Sequence, residues 1–163
     1  IEIAGVQGDS TNTARMDGYR EGITEAGGEF LDNETQYANA TADLAVTAME
    51  GIMSKYPEGV AIICSNNDDM ALAAARTAKD NPNYAKTIFL GFDGQKSAVE
   101  AVLNGELTMT AAQNNFDIGY KAVETMVKIL NGEQYDKVVD TGTEIITKDT
   151  ADARLAKFDE WMK

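Results

Sequence analysis

Four side chains in this sequence could together bind a molecule that is dense in hydroxyl groups: Arg15, Asn67, Asp93 and Gln113. An arginine only donates hydrogen bonds, an ionised carboxylate only accepts them, and an amide does both. A hydroxyl group also donates and accepts, so this mixed set of partners can satisfy several hydroxyls at once. The residue types therefore predict a ligand site that works through hydrogen bonds.

The positions of these residues support the same interpretation, because each one follows a short apolar run. The runs are 1–6, 59–64, 87–92 and, more weakly, 107–112. Their apolar and β-branched content predicts strands. In an open α/β sheet, ligands bind outside the carboxyl ends of the strands, so side chains that follow four strands converge on one edge.

Each residue taken alone also has a purely structural explanation. Asn and Asp residues after a strand commonly cap the next helix. Asp68 and Asp69 are better explained as helix-start residues than as ligand groups, and Arg15 could be a solvated helix arginine. The ligand site is the stronger interpretation because four strand ends carry such groups together.

Segments with helical spacing separate the strands, at 13–26, 42–56, 68–79, 95–104 and 117–131. A fifth strand is expected at 28–35 and a late one at 143–147, before an amphipathic tail that includes Phe158, Trp161 and Met162. Strands that alternate with helices of this length predict an α/β fold. We expect three layers: an open parallel sheet with helices on both faces.

The composition excludes several partners. Lys and Arg number 14 and Asp and Glu 27, which gives a formal net charge of −13. Such an acidic chain repels phosphate backbones and anionic membrane surfaces, so binding to nucleic acid is not expected. The sequence has no apolar run of about 18 residues, so no membrane insertion is expected either.

The composition also argues against catalysis. The sequence has no histidine, which removes the commonest general base and most zinc sites. It has no Gly-rich phosphate loop of a standard pattern and no clustered metal ligands, so we expect no cofactor, no metal and no enzymatic activity. The single cysteine, Cys64, lies in an apolar strand and is expected to be a buried, inert side chain.

Longer motifs carry a family resemblance, and they cover most of the chain: GVQGDSTNTARMDGYREG at 5–22, NNDDMALAA at 66–74, FLGFDGQKSAVEAVLNGELTMTAAQ at 89–113 and IGYKAVE at 118–124. In order and spacing they resemble the type I periplasmic sugar-binding proteins of ABC transporters, of the ribose- and galactose-binding type. The resemblance implies a flavodoxin-like lobe in which Arg15, Asn67, Asp93 and Gln113 bind sugar hydroxyls.

The resemblance also implies a division of the chain. Residues 1–113 correspond to the carboxyl-terminal lobe of a two-lobe protein, and the first lobe is absent from this chain. Residues 114–142 correspond to a helix and strand that cross to the first lobe in full-length relatives, and 143–163 to a terminal strand and tail. The aromatic ring that relatives stack on the sugar falls near Ala40 here, and Tyr37 is the candidate to replace it.

The function implied by the resemblance is that of the solute-binding component of an ABC importer for a monosaccharide or sugar-like polyol. Its partners would be the sugar, the first lobe and the membrane subunits of the permease. Its location would be the periplasm, or the cell surface as a lipoprotein in a Gram-positive host, with an export signal outside this chain.

Two alternatives have less support. One is the effector-binding domain of a lactose-repressor-type regulator, but the stretch after Asp93 follows the transporter pattern. The other is an enzyme of flavodoxin-like fold that uses Asp68 and Asp93 as acid and base, and no nucleophile or cofactor loop accompanies these two residues.

Overall fold

The computed structural model describes residues 1–161 and contains one six-stranded sheet. Residues 162 and 163, including Met162 of the predicted tail, lie outside the described residues. The elements in chain order are β1 (Glu2–Ala4), α1 (Ser10–Glu25), β2 (Gln36–Tyr37), α2 (Ala42–Lys55), β3 (Ile62–Ser65), α3 (Asp68–Ala78), β4 (Ile88–Asp93), α4 (Lys96–Asn104), β5 (Met109–Gln113), α5 (Asn115–Leu130), β6 (Thr143–Ile146) and α6 (Lys148–Trp161).

The sheet confirms the predicted α/β class, and one strand runs in a different direction from the predicted parallel arrangement. Its order is β2-β1-β3-β4-β5-β6, and the first five strands are parallel. The last strand, β6, is antiparallel to β5, with Gln113 opposite Thr143. The chain leaves β5 and returns to β6 at the same edge of the sheet, so β6 must run in the opposite direction.

Helices cover both faces of the sheet. On one face α2, α3, α4 and α6 pack side by side, over a core built largely of Ala, Ile, Val and Met side chains. The other face carries α1. Gly91 of β4 faces α3, because an added Cβ there would meet Ala71 and Asp68. Its neighbour Phe92 points the opposite way and packs under Arg15 of α1.

The predicted strand at 28–35 is wrong. Those residues form a loop with a short 3₁₀ turn at Asp32–Glu34, and the strand itself lies at Gln36–Tyr37. Strand β2 pairs with β1 through Ile3 and Gln36. The acidic run stays at the surface because Asp32 pairs with Arg20 of α1, and charged side chains pack poorly in a sheet interior.

The helix boundaries otherwise follow the sequence pattern to within a few residues. Helix α1 begins at Ser10, earlier than the pattern suggests, because the Asp9 side chain accepts a hydrogen bond from the backbone N–H of Asn12 and caps the helix. Cys64 is buried in β3 as predicted, and burial raises the pKa of its thiol to about 12.

Helix α5 differs from the other helices because none of its residues is buried. It exposes a set of large apolar side chains to solvent: Phe116, Ile118, Tyr120, Val123, Met126, Val127, Ile129 and Leu130. Residues 131–142 connect it to β6 without a helix or strand. The crossing of this segment to another lobe stays a prediction. Within residues 1–161, no helix is both long enough and apolar enough to cross a membrane.

Candidate functional site

The structure brings three of the four predicted site residues into direct contact at the carboxyl edge of the sheet. Arg15 Nη2 lies 3.1 Å from Asp93 Oδ1, and Gln113 Nε2 donates to the same oxygen at 2.7 Å. Arg15 also donates from Nη1 to the carbonyl oxygen of Asn66 at 2.8 Å. Its guanidinium lies 3.9 Å from the centroid of the Phe92 ring, which holds it flat against β4.

The fourth residue, Asn67, lies at the same edge but is engaged elsewhere. Its Oδ1 accepts a hydrogen bond from the backbone N–H of Met70 at 2.9 Å, so Asn67 caps α3. Its Nδ2 donates to the carbonyl oxygen of Ala40 at 3.1 Å. One amide hydrogen of Asn67 is then left for a ligand, because an amide nitrogen carries two.

Asp68 and Asp69 lie in the first turn of α3, where the sequence placed them. Sequence reasoning missed that Asp68 is also a buried cross-link. Its Oδ1 accepts from the Thr110 hydroxyl at 2.6 Å and its Oδ2 from the backbone N–H of Gln95 at 2.7 Å. Asp68 therefore ties α3 to β5 and to the loop that follows Asp93. Burial raises the pKa of its carboxyl group to about 6, against the opposing effect of these hydrogen bonds.

A glycine makes room for that cross-link. A Cβ on Gly91 would lie 2.3 Å from Asp68 Oδ1, so no larger residue fits at this point of β4 without displacing the carboxylate. The available sequence signal was the glycine inside a predicted strand, two residues before a site aspartate, which marks a close approach.

Asp93 has a strained backbone. Its φ is +107°, a value that residues with a side chain rarely adopt. The next residue, Gly94, has φ +71°, and a Cβ there would lie 2.2 Å from the Cβ of Ala112. Strain of this kind persists where the surrounding structure holds it, and it concentrates at functional sites.

Opposing effects act on the pKa of the Asp93 carboxyl group. Burial raises the pKa of its carboxyl group, while the Arg15 charge and the hydrogen bonds from Gln113 and Arg15 lower it, and burial has the larger effect. The pair is partly open to solvent, with side-chain exposures of 14% for Arg15 and 24% for Asp93. Within residues 1–161, the hydrogen bonds to Asp93 end on Oδ1. Its other oxygen can therefore accept from a ligand.

A buried polar network holds the start of α1 against the sheet. Asn12 Oδ1 accepts from the backbone N–H of Gly5 at 2.6 Å, and Asn66 Nδ2 donates to the carbonyl oxygen of Asn12 at 3.1 Å. Asn66 Nδ2 also lies 3.3 Å from Glu2 Oε1. Glu2 is fully buried, and burial raises the pKa of its carboxyl group to about 7.

A second contact fixes α1 one turn beyond Arg15. The Tyr19 hydroxyl lies 3.1 Å from the carbonyl oxygen of Ser65 and 3.3 Å from that of Gly91, at β3 and β4. Burial raises the pKa of the Tyr19 hydroxyl, which stays protonated and can donate. Helix α1 is thus held to the sheet on both sides of Arg15, by Asn12 before it and by Tyr19 after it.

An open cavity of about 680 Å³ adjoins the cluster on the α1 side of the sheet. Its lining combines the polar groups of Arg15 and Gln113 with apolar side chains from β4 to β6: Phe92, Met109, Ala111 and Ile145. Mixed linings of apolar surface with a few fixed polar groups are typical of small-molecule sites.

The two candidate positions for a stacking ring lie near the end of β2. Tyr37 closes β2 and is 41% exposed. Ala40 lies in the following turn with φ +61°, and its carbonyl oxygen accepts from Asn67. Position 40 carries only a methyl group, so the assignment of Tyr37 as the stacking ring stays a prediction. The described part of the chain contains no group of three or more His, Cys, Asp or Glu side chains that could hold a metal ion.

Comparison with known proteins connects this geometry to a family. The sequence profile of the periplasmic binding protein domain matches residues 1–134. The ribose import binding protein of Escherichia coli strain K12 is 30% identical over 148 residues, which make up 91% of this chain and 49% of that protein. The chain spans about half the length of the curated relatives it matches.

Similar solved structures cover more of the chain than the sequence profile does. A periplasmic ribose ABC transporter protein from Conexibacter woesei superposes with a TM-score of 0.82 and 28% identity, over 95% of this chain and 52% of that one. A solute-binding protein from Bacillus halodurans, solved with bound myo-inositol, gives 0.84 and 25% identity, over 96% and 53%. This chain belongs to the periplasmic binding protein domain family.

Proposed function

We propose that this chain is one lobe of the solute-binding component of an ABC importer, and that it binds a monosaccharide or a sugar-like polyol. The observation that carries the proposal is the cluster of Arg15, Asp93 and Gln113 at the carboxyl edge of the sheet. Asn67 is the fourth ligand group, at the amino end of α3. We propose no catalytic role for any of them, since the family consists of solute-binding proteins.

The hydrogen-bonding capacity of the site supports a polyhydroxylated ligand. Arg15 supplies fixed donors, and the free oxygen of Asp93 is an acceptor. The Gln113 amide keeps its oxygen as an acceptor, and the Asn67 amide keeps one hydrogen as a donor. The ligands of similar proteins have the same chemistry. One relative is a ribose import binding protein and another a D-allose-binding periplasmic protein, and a similar solved structure contains myo-inositol. All of these ligands carry several hydroxyl groups on a small skeleton.

We further propose that the chain divides as the resemblance implies. Residues 1–113 form the carboxyl-terminal lobe, 114–142 cross to the first lobe, and 143–163 return to this one. Two observations support this division: α5 exposes an apolar surface that nothing in residues 1–161 covers, and β6 rejoins the sheet beside β5. A helix surface with so many neighbouring exposed apolar side chains is typical of an interface.

The mechanism that follows is closure of two lobes around the ligand. A sugar that contacts both lobes binds the closed form more tightly than the open form, and so shifts the population towards closure. The membrane subunits of the permease would recognise that closed form. The protein would work outside the cytoplasmic membrane, in the periplasm or as a lipoprotein on the cell surface. Two relatives are import binding proteins by name, one for ribose and one for fructose, which supports the importer over the regulator.

Calorimetric titration tests the proposal directly. The two-lobe protein that carries this chain is titrated with D-ribose, D-allose and myo-inositol, and this chain alone is titrated in parallel. We expect at least one of these ligands to bind the two-lobe protein with micromolar or lower Kd, and the single lobe to bind it far more weakly, because about half the contacts are missing. Failure of the two-lobe protein to bind any polyol, or equal binding by the single lobe, would refute the proposal.

A further inference from the structure

A buried arginine that is not one of the predicted site residues contacts the backbone of one of them. Arg154 lies in α6 and is only 2% exposed. Its Nη2 donates to the carbonyl oxygen of Gln113 at 2.8 Å. Its Nη1 lies 3.6 Å from Glu144 Oε2, and its guanidinium carbon lies 5.4 Å and 5.0 Å from the ring centroids of Phe158 and Trp161.

Burial of this charge needs compensation, because removing a guanidinium from water is costly unless it is paired and hydrogen-bonded. Glu144 compensates it only in part, since this carboxylate is 40% exposed and also binds Lys157 at 3.1 Å. Arg154 Nε is buried without a partner within residues 1–161. The short hydrogen bond to Gln113 is therefore the most specific contact that Arg154 makes.

The position of that contact links it to the ligand cluster. Gln113 is the last residue of β5, where the chain leaves the sheet, and it pairs with Thr143, where the chain returns. The backbone carbonyl of Gln113 is bound by Arg154, and the side chain of the same residue donates to Asp93. One residue thus joins a buried arginine on α6 to the carboxylate that Arg15 also binds.

We propose that Arg154 is a positioning residue for the ligand site. Arg154 fixes the backbone at Gln113 through its hydrogen bond to the carbonyl oxygen. The fixed backbone then holds the Gln113 side-chain amide in the orientation that contacts Asp93 and the ligand. Helix α6 lies beyond residues 1–134, the part that the family profile matches, so the role is assigned from the contacts of this chain. The part of the proposal that concerns ligand affinity rests on the proposed function, and the part that concerns the Gln113 amide does not.

The first test needs no ligand. In the two-lobe protein with ¹⁵N-labelled glutamine side chains, the Gln113 amide resonance is assigned from its loss in Gln113→Ala. We expect Arg154→Met to shift this resonance and to accelerate the solvent exchange of its protons. Lys157→Met is the matched control, because it removes the other cation at Glu144 and leaves Gln113 untouched; it should leave the resonance in place.

Arg154→Lys serves as a second variant, because it keeps the buried charge and stem but lacks the planar fork of donors. Urea unfolding of each variant establishes that it is folded before its spectrum is interpreted. A Gln113 resonance that is unchanged in both arginine variants would overturn the proposal.

The second test separates positioning from a general loss of stability. The wild type, Arg154→Met, Gln113→Ala and the double variant are titrated with D-ribose and with myo-inositol. We expect Arg154→Met to weaken binding by about tenfold, and to weaken it no further in the Gln113→Ala background. Additive losses would show that Arg154 acts on the lobe as a whole, and would overturn the proposal. If neither these two ligands nor D-allose binds the wild type, the proposed function fails, and the resonance experiment still decides the role of Arg154.

Discussion

The Gln113 side chain donates a hydrogen bond to Asp93, with 2.7 Å between Nε2 and Oδ1. The two residues end neighbouring parallel strands, since Asp93 of β4 pairs with Ala112 of β5. The same oxygen of Asp93 also accepts a hydrogen bond from Arg15 Nη2 at 3.1 Å. Two donors thus hold one oxygen of the carboxylate, and this arrangement leaves the other oxygen without a hydrogen bond from residues 1–161.

Asp93→Asn tests the importance of that carboxylate. Asparagine preserves the size of the side chain and tolerates a positive φ better than most residues, so the change removes mainly the charge. Burial disfavours the ionised carboxylate while Arg15 and Gln113 favour it, so we expect loss of the charge to change the free energy of unfolding by no more than about 1 kcal/mol. Ligand affinity should fall by at least about 100-fold, measured by calorimetry, because charged hydrogen bonds are lost.

The control for this substitution is Asp69→Asn. Asp69 is an exposed carboxylate at the same edge of the sheet, in the first turn of α3. Its loss should change stability by no more than about 0.5 kcal/mol and leave the affinity unchanged. Wild-type affinity in Asp93→Asn would remove Asp93 from the ligand site.

Substitutions of Asn67 distinguish its role as a helix cap from its role as a ligand group. Asn67→Asp keeps an oxygen for the N–H of Met70 but loses the donor to the Ala40 carbonyl, whereas Asn67→Ala loses both. Aspartate caps helices as well as asparagine does. We therefore expect only the alanine variant to lose the cap contribution of about 1 kcal/mol in urea unfolding.

Both Asn67 variants should lose ligand affinity, since each lacks the amide hydrogen that remains free in the wild type. The loss should be about tenfold for a neutral hydrogen bond within a closed site. Calorimetry on the two-lobe protein measures it. If Asn67→Asp binds the ligand as tightly as the wild type, Asn67 is a structural cap and not a ligand group.

Asp68 predicts a specific dependence of stability on pH. Its pKa is 3.8 ordinarily and about 6 in the folded chain, so the folded state binds more protons than the unfolded state between these values. The stability that the raised pKa of Asp68 contributes is fully present below about pH 4, where the carboxyl group is protonated. It is lost as the pH rises through about 6 and the buried group ionises. The loss amounts to about 3 kcal/mol at most.

Urea unfolding of the wild type and of Asp68→Asn from pH 4 to pH 7 tests this dependence. Asparagine does not titrate, so the decline of stability with rising pH should be shallower in the variant. The buried Glu2 and the general repulsion within an acidic chain act in the same direction, but both are present in both proteins and cancel in the comparison. Parallel curves would contradict the assignment of the Asp68 pKa.

The exposed apolar surface of α5 predicts opposite effects in two contexts. Val127 is 46% exposed in this chain. Exposed apolar surface of this kind favours association between copies of the isolated chain, so we expect Val127→Glu to reduce any self-association that sedimentation detects in the wild type. In the two-lobe protein the same change would bury a charge at the lobe interface and lower the free energy of unfolding by about 2 kcal/mol or more.

Thr125→Glu is the matched control for this substitution, because Thr125 lies one turn from Lys121 and Lys128 on the polar side of α5. It adds the same charge to the same helix and should change the stability of the two-lobe protein little. Equal effects of the two substitutions there would contradict the assignment of α5 to an interface between lobes.

Local sequence patterns were enough to predict the α/β class, the burial of Cys64 and the positions of most helices and strands. These features depend on local patterns: the spacing of apolar residues reports which side of an element is buried, and a polar residue after an apolar run marks a strand end. The same patterns placed Arg15, Asp93 and Gln113 at one edge, because parallel strands bring their carboxyl ends together.

The contacts that connect these residues could be seen only in the folded chain. The structure showed that β6 runs antiparallel to β5, that the second strand lies at Gln36–Tyr37, and that Asn67 caps α3 while Asp68 bridges it to β5. It also placed Arg154 against Gln113, 41 residues earlier in the chain. Such contacts join residues far apart in sequence, and they depend on the directions in which side chains leave packed elements, which no local pattern records.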